Sequence, residues 1–438
     1  MTAPLLSCYI EGIQDHPMKI LHTSDWHLGQ ALYGRKRNEE FRLFLDWLAQ
    51  TLREESIDVL LVSGDIFDSG LPSNQAQALY YRFLCEAAKS SCRHIVLTAG
   101  NHDSPSFLDA PQALLQALDV HVIGQALEPE EEVLLLNDAN GLPELIVCAV
   151  PFLRDRDLYR IRFEGDTDDR EALLAHGMRE HYRRCAAKAD ALLEGYAQNF
   201  PNSPTLPVVA MGHLFAAGGT VGDDDGVRDL RIGSLGQISA DIFPSCFDYV
   251  ALGHLHRPQK VNKEERIRYS GSPLPMGFGE AKQQKNVCLV EFEGKTPSVR
   301  TLDVPLFQKM EKISGDLPSI EARLKELSEL GEAVWLEVTY TGSAIVSDLR
   351  ERLQEKAGPK LEILRVRTAY SLEAPTSTED LETALEDMSV FDVFTRRLDD
   401  FERQNGLDAE QRKSLLETYA EAVNELLQVD KGEEGCAS

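Results

Sequence analysis

Residues 93–103 read RHIVLTAGNHD, and this stretch decides the fold. Its first half is apolar and β-branched without alternation, too short for a helix, and so predicts a strand buried on both faces. It stops at Ala99-Gly100, and three residues able to do chemistry follow at once: Asn101, His102 and Asp103. Four other runs share the design: KILHTSDWH from Lys19, IDVLLVSGD from Ile57, LPVVAMGH from Leu206 and FDYVALGHLH from Phe247. Helical periodicities separate the first three. Residues 38–55 align Phe41, Phe44, Leu45, Leu48 and Leu52 on one stripe, and residues 73–89 form a second such helix. Strands alternating with helices predict an α/β sandwich. Ligand sites of open α/β sheets lie beyond the carboxyl ends of the strands, where all five polar clusters fall, so the clusters can converge.

The 438 residues exceed one average domain, and 43% hydrophobic with 27% charged residues is ordinary globular composition. No apolar run approaches the roughly 18 residues of a membrane span. Residues 1–17 have neither a basic start nor an apolar stretch, so they read as an extension, with Met18 an alternative start. The eight cysteines are scattered without a CxxC pair, which fits reduced thiols in a cytoplasmic protein. The net charge of −27 argues against a general nucleic-acid binder. The charge is uneven, however: residues 371–438 hold 18 acidic and 6 basic residues. Local patches, bound cations or a partner protein can still meet phosphate.

The domain reading places the main α/β domain at 18–304. A small cap comes next at 305–372, where 333–340 alternates as a strand, 344–357 reads as a helix and 361–368 alternates again. A polar linker at 373–388 leads to two amphipathic helices within 389–428. One carries Val390, Phe391, Phe394, Leu398 and Phe401; the other carries Leu415, Leu416, Tyr419, Val423, Leu426 and Leu427. Residues 429–438 read as a disordered tail.

The chemistry rests on Asp25, His27, Asp65, Asn101, His102, His213, His254 and His256. Singly, a histidine after a strand is usually a satisfied loop residue and a Gly-Asp pair a turn. Five clusters in series, each directly after a buried strand, call for a common purpose. Carboxylates, an amide oxygen and imidazoles without thiolate suit manganese, iron or zinc. Asp25, His27 and His256 can hold one ion, Asn101, His213 and His254 a second, and Asp65 can bridge them. Two ions about 3.5–4 Å apart clamp a phosphodiester and activate a water. His102 is the candidate to stabilise the transition state or protonate the leaving oxygen, with Asp103 orienting its ring; alternatively, it only supports Asn101.

The pattern D-x-H, GD, GNHD, GH, GHxH resembles the calcineurin-like metallophosphoesterase superfamily. The flanking ILHTSDWHLGQ, LVSGDIFDSGLPS, AGNHDS, ALGHLHRPQ and YSGSPLPMGFGE, with the cap-like segment and helix pair, resemble the SbcD family of nuclease subunits over residues 18–427. That resemblance implies a four-layer αββα metallophosphoesterase sandwich with a small α+β cap domain and a C-terminal helix pair. It implies two Mn²⁺, the ligand set above, and an active-site role for His102. It also implies 3′-to-5′ exonuclease and endonuclease action on DNA ends, hairpins and blocked termini. The implied partner is the SbcC ATPase, with a homodimer of the chain inside a heterotetramer. Some relatives carry a functional histidine three residues after the bridging aspartate; Asp68 stands there, so that role is not carried over.

Arg35, Lys36 and Arg37 come soon after the first cluster and are candidates for DNA phosphate contact, or else the solvated start of a helix. Arg154, Arg156, Arg160 and Arg162 form a second basic run, diluted by Asp155 and Asp157. The C-terminal helices suit docking into a partner groove. No GxxxxGK[ST] loop occurs, so no nucleotide is expected on this chain. A small-substrate phosphodiesterase or phosphoprotein phosphatase on the same metal core remains the alternative, and a scaffold that has lost its ions is a third class.

Overall fold

The computed structural model describes residues 17–158, 170–216, 239–342, 346, 348–368 and 415. The chain divides into two compact units, residues 1–370 and 371–438, and every sheet among the described residues belongs to the first. The linker and the C-terminal helix pair lie outside the described residues.

The first half runs β1 (Met18–Thr23), β2 (Ala31–Leu32), β3 (Arg35–Lys36), α1 (Asn38–Glu54), β4 (Val59–Ser63), α2 (Asn74–Ala87), β5 (His94–Thr98), α3 (Pro105–Asp109), α4 (Gln112–Gln116) and β6 (Val120–Ile123). The second half runs β7 (Val133–Asn137), β8 (Pro143–Ala149), α5 (Asp155–Leu158), α6 (Arg170–Asn199), β9 (Val208–His213), β10 (Tyr249–Gly253), β11 (Gln259–Lys260) and β12 (Ile267–Tyr269). β13 (Asn286–Glu293) and β14 (Thr296–Asp303) then return to the first sheet.

One six-stranded sheet has the order β14-β13-β1-β4-β5-β6, and the other β11-β12-β10-β9-β8-β7. Their central strands are parallel: β1, β4, β5 and β6 in the first, β8, β9, β10 and β12 in the second. The two-residue period of a strand sorts its side chains between layers. In β4, Leu60 and Val62 face Phe41, Phe44 and Leu48 of α1 and Phe83 of α2. Val59 and Leu61 point the other way, into a cluster with Val209, Met211, Tyr249 and Ala251 of the second sheet. In β9, Val208 and Ala210 turn outward to Leu174, Met178 and Tyr182 of α6. The layers are therefore helix, sheet, sheet, helix. Because every central strand is covered on both faces, its sequence has no polar alternation.

The five strands read from the sequence are β1, β4, β5, β9 and β10, and the two helices are α1 and α2. Ser73 caps α2 by accepting from the Ala76 amide. Helix α6 is an addition to the elements expected from the sequence.

Beyond the sandwich lies a third sheet, β15 (Lys309–Gly315), β16 (Val334–Tyr340) and β17 (Leu361–Thr368), all parallel. Helices α7 (Leu317–Leu330) and α8 (Leu349–Ala357) cover it, burying Ile320, Leu324, Leu327 and Leu353. Asp316 caps α7 through the Ser319 amide, and Gly331 ends it in the left-handed region at φ 70°. Only the last strand-helix-strand part is legible in the sequence. β15 and α7 precede it, because KMEKISG buries only Met310 and Ile313 and so carries little strand signal. Among the described residues, no helix is long and apolar enough to cross a membrane.

Leu61 is fully buried between the two large sheets. Leu61→Ala is expected to cost about 2–5 kcal/mol in chemical denaturation, and a loss under about 1 kcal/mol would contradict the inter-sheet packing.

Candidate metal centre

The loops after β1, β4, β5, β9 and β10 meet at one end of the sandwich. In the first loop Trp26 is fully buried, edge-on against Phe44 and Phe83, with its indole N–H donating to Thr23 Oγ1 at 3.1 Å. Its neighbours Asp25 and His27 are thereby held in the site. Asp25, His27, Asp65 and His254 all have left-handed backbone, with φ of 53°, 48°, 49° and 103°. Non-glycine residues rarely adopt this region, and clusters of such strain mark functional sites. Gly253 has no room for a side chain: an added Cβ would run into the Ser63 carbonyl oxygen.

The candidate ligands gather as two groups joined by Asp65. His27 Nε2 and His256 Nε2 stand 3.1 Å apart, and Asp25 lies within ligand range of both histidines. On the other side, Asn101 Oδ1 is 3.0 Å from His213 Nε2 and 3.3 Å from His254 Nδ1. Between them Asp65 Oδ2 is 3.7 Å from His27 Nε2 and 3.3 Å from His213 Nε2. His213 Nδ1 lies 2.9 Å from the Ser63 carbonyl, which can only accept, so Nδ1 carries the proton. His213 Nε2 then aims at two oxygens, and His254 Nε2 is buried with no hydrogen bond. Converging lone pairs of this kind are stable only with a cation, or a proton, among them. The donor set fits one or two divalent ions.

Charge in the cluster is polarised accordingly. Burial raises the Asp25 carboxyl above its ordinary value, with His213 and His256 opposing. Burial also pushes Asp65 upward, but His213, His27 and His102 outweigh it and hold Asp65 below the carboxylate range. Burial would lower His213, yet Asp65 lifts it to about 9. Burial, reinforced by His213, brings His254 down to about 3.

His102 is half-buried, and its backbone N–H donates to Asp65 Oδ1 at 2.9 Å. Its ring is not oriented by Asp103 as expected. Nδ1 instead donates to the Asp68 carbonyl at 3.0 Å. Asp103 is committed elsewhere, accepting from the backbone N–H groups of Ile66 (3.0 Å), Phe67 (2.9 Å) and Gly100 (2.9 Å). It ties two ligand-bearing loops together. Burial, with Asp65 nearby, raises its carboxyl to about 6 against the pull of those three donors.

The basic triplet separates. Arg37 is buried, forked onto Glu40 at 2.8 and 2.9 Å, and donates to Gln30 Oε1 at 2.6 Å. With no exposed guanidinium, it is a structural bolt and not a phosphate contact. Arg35 is exposed but pairs with Glu362 at 3.3 Å, and Lys36 is exposed. Arg156 is exposed beside Asp157, whereas Arg160 and Arg162 lie outside the described residues. No sequence signal points to Glu280, which lies behind His256, or to Tyr33, Phe278, Lys312 and Glu337. The latter four line a cleft of about 680 Å³ that runs from the ligands to the third sheet. A separate buried group, Glu132, His181 and Cys185, is closed by its own hydrogen bonds.

The sandwich with this centre defines a metal-dependent phosphoesterase. Residues 18–258 match the calcineurin-like phosphoesterase family, and residues 306–401 match the family described as type 5 capsule protein repressor C-terminal domain. SbcD of the nuclease SbcCD from Escherichia coli K12 is 34% identical over 413 residues, covering 93% of this chain and 98% of that protein. SbcD of Rhodobacter capsulatus is 37% identical over 323 residues, 71% of this chain and 76% of that protein. SbcD of Bacillus subtilis is 34% identical over 275 residues, 63% and 66% of the two chains. The chain belongs to the SbcD nuclease-subunit family.

Asp103→Ala would strand three buried amides at about 1–3 kcal/mol each. Chemical denaturation is expected to show a loss of at least about 3 kcal/mol, and a neutral result would mean that the loops do not depend on this carboxylate.

Proposed function

We propose that the chain is a two-manganese DNA nuclease. It removes nucleotides 3′-to-5′ from double-stranded ends and cuts endonucleolytically at hairpins and blocked termini. The observation that carries this reading is the meeting of seven oxygen and nitrogen ligands, without thiolate, at the closed end of a cleft. Asp25, His27 and His256 would hold one ion, Asn101, His213 and His254 the other, and Asp65 both. Bound there, the ions would supply phosphate polarisation and a water deprotonated near neutral pH.

The chain's own residues do the rest. His213 is fixed by the Ser63 carbonyl, so its Nε2 serves as a ligand without rotating. His102, with Nδ1 held by the Asp68 carbonyl, keeps Nε2 for the leaving oxygen. Asp103 keeps the loops after β4 and β5 in register, and thus Asp65 and Asn101 at a fixed separation.

Names of the relatives support SbcC as the ATP-hydrolysing partner, consistent with the lack of a phosphate-binding loop motif in this sequence. In this reading the chain works in the cytoplasm as a homodimer within a heterotetramer. The helix pair within 389–428 docks on the ATPase, and residues 305–372 cap the nuclease domain at 18–304. The acidic surface is compatible with DNA because phosphate is met at the ions, and Arg35 and Lys36 add local positive charge.

The test is cleavage of an end-labelled hairpin duplex with manganese, by wild type and His102→Ala, with and without SbcC and ATP. Expected are manganese-dependent cutting that expands with SbcC and ATP, and a loss of about 10²–10⁴-fold in His102→Ala. A wild type inert on every DNA yet active on a small phosphodiester would overturn the substrate and leave the metal centre standing.

A further inference from the structure

His256 is held from behind by a residue with no other evident task. Glu280 ends the 3-10 turn Phe278–Glu280 and is fully buried. Its Oε2 accepts from the Met276 amide at 2.9 Å and pairs with Lys285 Nζ at 2.6 Å. Lys285, also buried, donates to the His256 carbonyl at 2.9 Å and to Ser272 Oγ at 3.0 Å. The remaining oxygen, Oε1, makes no hydrogen bond and lies 3.6 Å from His256 Nδ1. A carboxylate beside the far nitrogen of a ligating imidazole fixes the proton there and leaves the near nitrogen's lone pair for the ion. That near nitrogen, Nε2, is the one facing His27.

The same turn is gripped from the third sheet. Phe278 stacks on Tyr33, with centroids 5.9 Å apart and planes 18° apart. Arg365 of β17 lies over the Tyr33 ring at 4.9 Å and donates to its hydroxyl at 2.9 Å. Leu32, Phe278, Met310, Trp335 and Leu364 close an apolar cluster around the stack, joining the β2–β3 hairpin, the turn and the sheet. Gln30 adds a second fastening by donating to the Met276 carbonyl at 3.3 Å.

We infer that Glu280 is the positioning residue for His256, and that the third sheet sets the place of Glu280 through the Tyr33–Phe278 stack. Seating of that sheet is thereby read in the affinity of the ion that His256 holds. The inference rests on the two-ion reading above and adds to it a mechanical control of one ion.

The test is a manganese titration of the full chain by calorimetry, with low-temperature EPR to separate a spin-coupled pair from a lone ion. The melting temperature of each metal-free variant is recorded alongside. In Glu280→Gln, one ion is expected to weaken about 10–100-fold, with the coupled signal replaced by that of a lone ion at limiting manganese. Glu280→Asp recovers part of the loss. Tyr33→Ala, which touches no ligand, weakens the same ion severalfold. A folded Glu280→Gln with two ions of wild-type affinity would overturn the inference, as would equal weakening of both ions. Unchanged affinities in Tyr33→Ala would overturn the link to the third sheet. A wild type that takes up no manganese would sink the two-ion reading itself, and is distinguishable from all of these.

Discussion

Everything at the centre depends on four residues held in a backbone conformation they would not choose. Asp25, His27, Asp65 and His254 are all left-handed, and each such residue costs of order 1–3 kcal/mol unless its surroundings dictate it. The surroundings here are the neighbouring ligand loops. The Asp25 amide donates to the Gly64 carbonyl at 3.0 Å and the His27 amide to the Asp65 carbonyl at 3.0 Å. Across the gap between the sheets, the His254 amide donates to Asp25 Oδ1 at 2.9 Å. The loops therefore strain one another into place, and none can adopt its ligand geometry alone. Gly253 completes the arrangement, since only the absence of Cβ lets β10 come so near the Ser63 carbonyl.

Such a lattice concentrates charge where the protein can least solvate it. Two carboxylates and four imidazoles lie buried at one point, and their opposed shifts show each group polarised by the others. Divalent ions relieve that concentration, which makes the site an ion-binding device before it is a catalytic one. The net charge of −27 is then less of an obstacle to a DNA substrate than its size suggests, because the groups meeting phosphate are not those that set the total.

The parts legible in the sequence share one property: their physics is written in side chains that repeat. Strands covered on both faces are unbroken apolar runs, so β1, β4, β5, β9 and β10 stand out, and the polar clusters at their ends come with them. What stays hidden depends on the main chain or on distant pairing. Asp103 reads as a partner for its neighbour His102, and nothing in GNHD shows three amides competing for its carboxylate. Arg37 looks like the third member of a basic patch until Glu40 and Gln30 are seen to enclose it. Glu280 sits in a glycine-rich turn that reads as a loop, because its relation to His256 spans a strand and a reversal of the chain. β15 is illegible for a simpler reason: only two of its seven side chains are buried.

The path of the chain explains why the third sheet can matter to the metal centre at all. After His254 and His256 the backbone passes through β11 and β12 to the turn at Phe278–Glu280, then along β13 and β14, and directly into β15. The first ligand loop sends out its own hairpin, whose central Tyr33 and Gly34 both have positive φ, as a tight two-residue reversal requires. That hairpin starts four residues after His27 and ends against Trp335, Glu362 and Arg365. Two ligand segments, one at each end of the sandwich sequence, thus extend into the same interface with the same sheet. A shift of that sheet cannot be absorbed by one loop alone. It displaces the hairpin behind His27 and the turn behind His256 together, and these two histidines face each other across 3.1 Å.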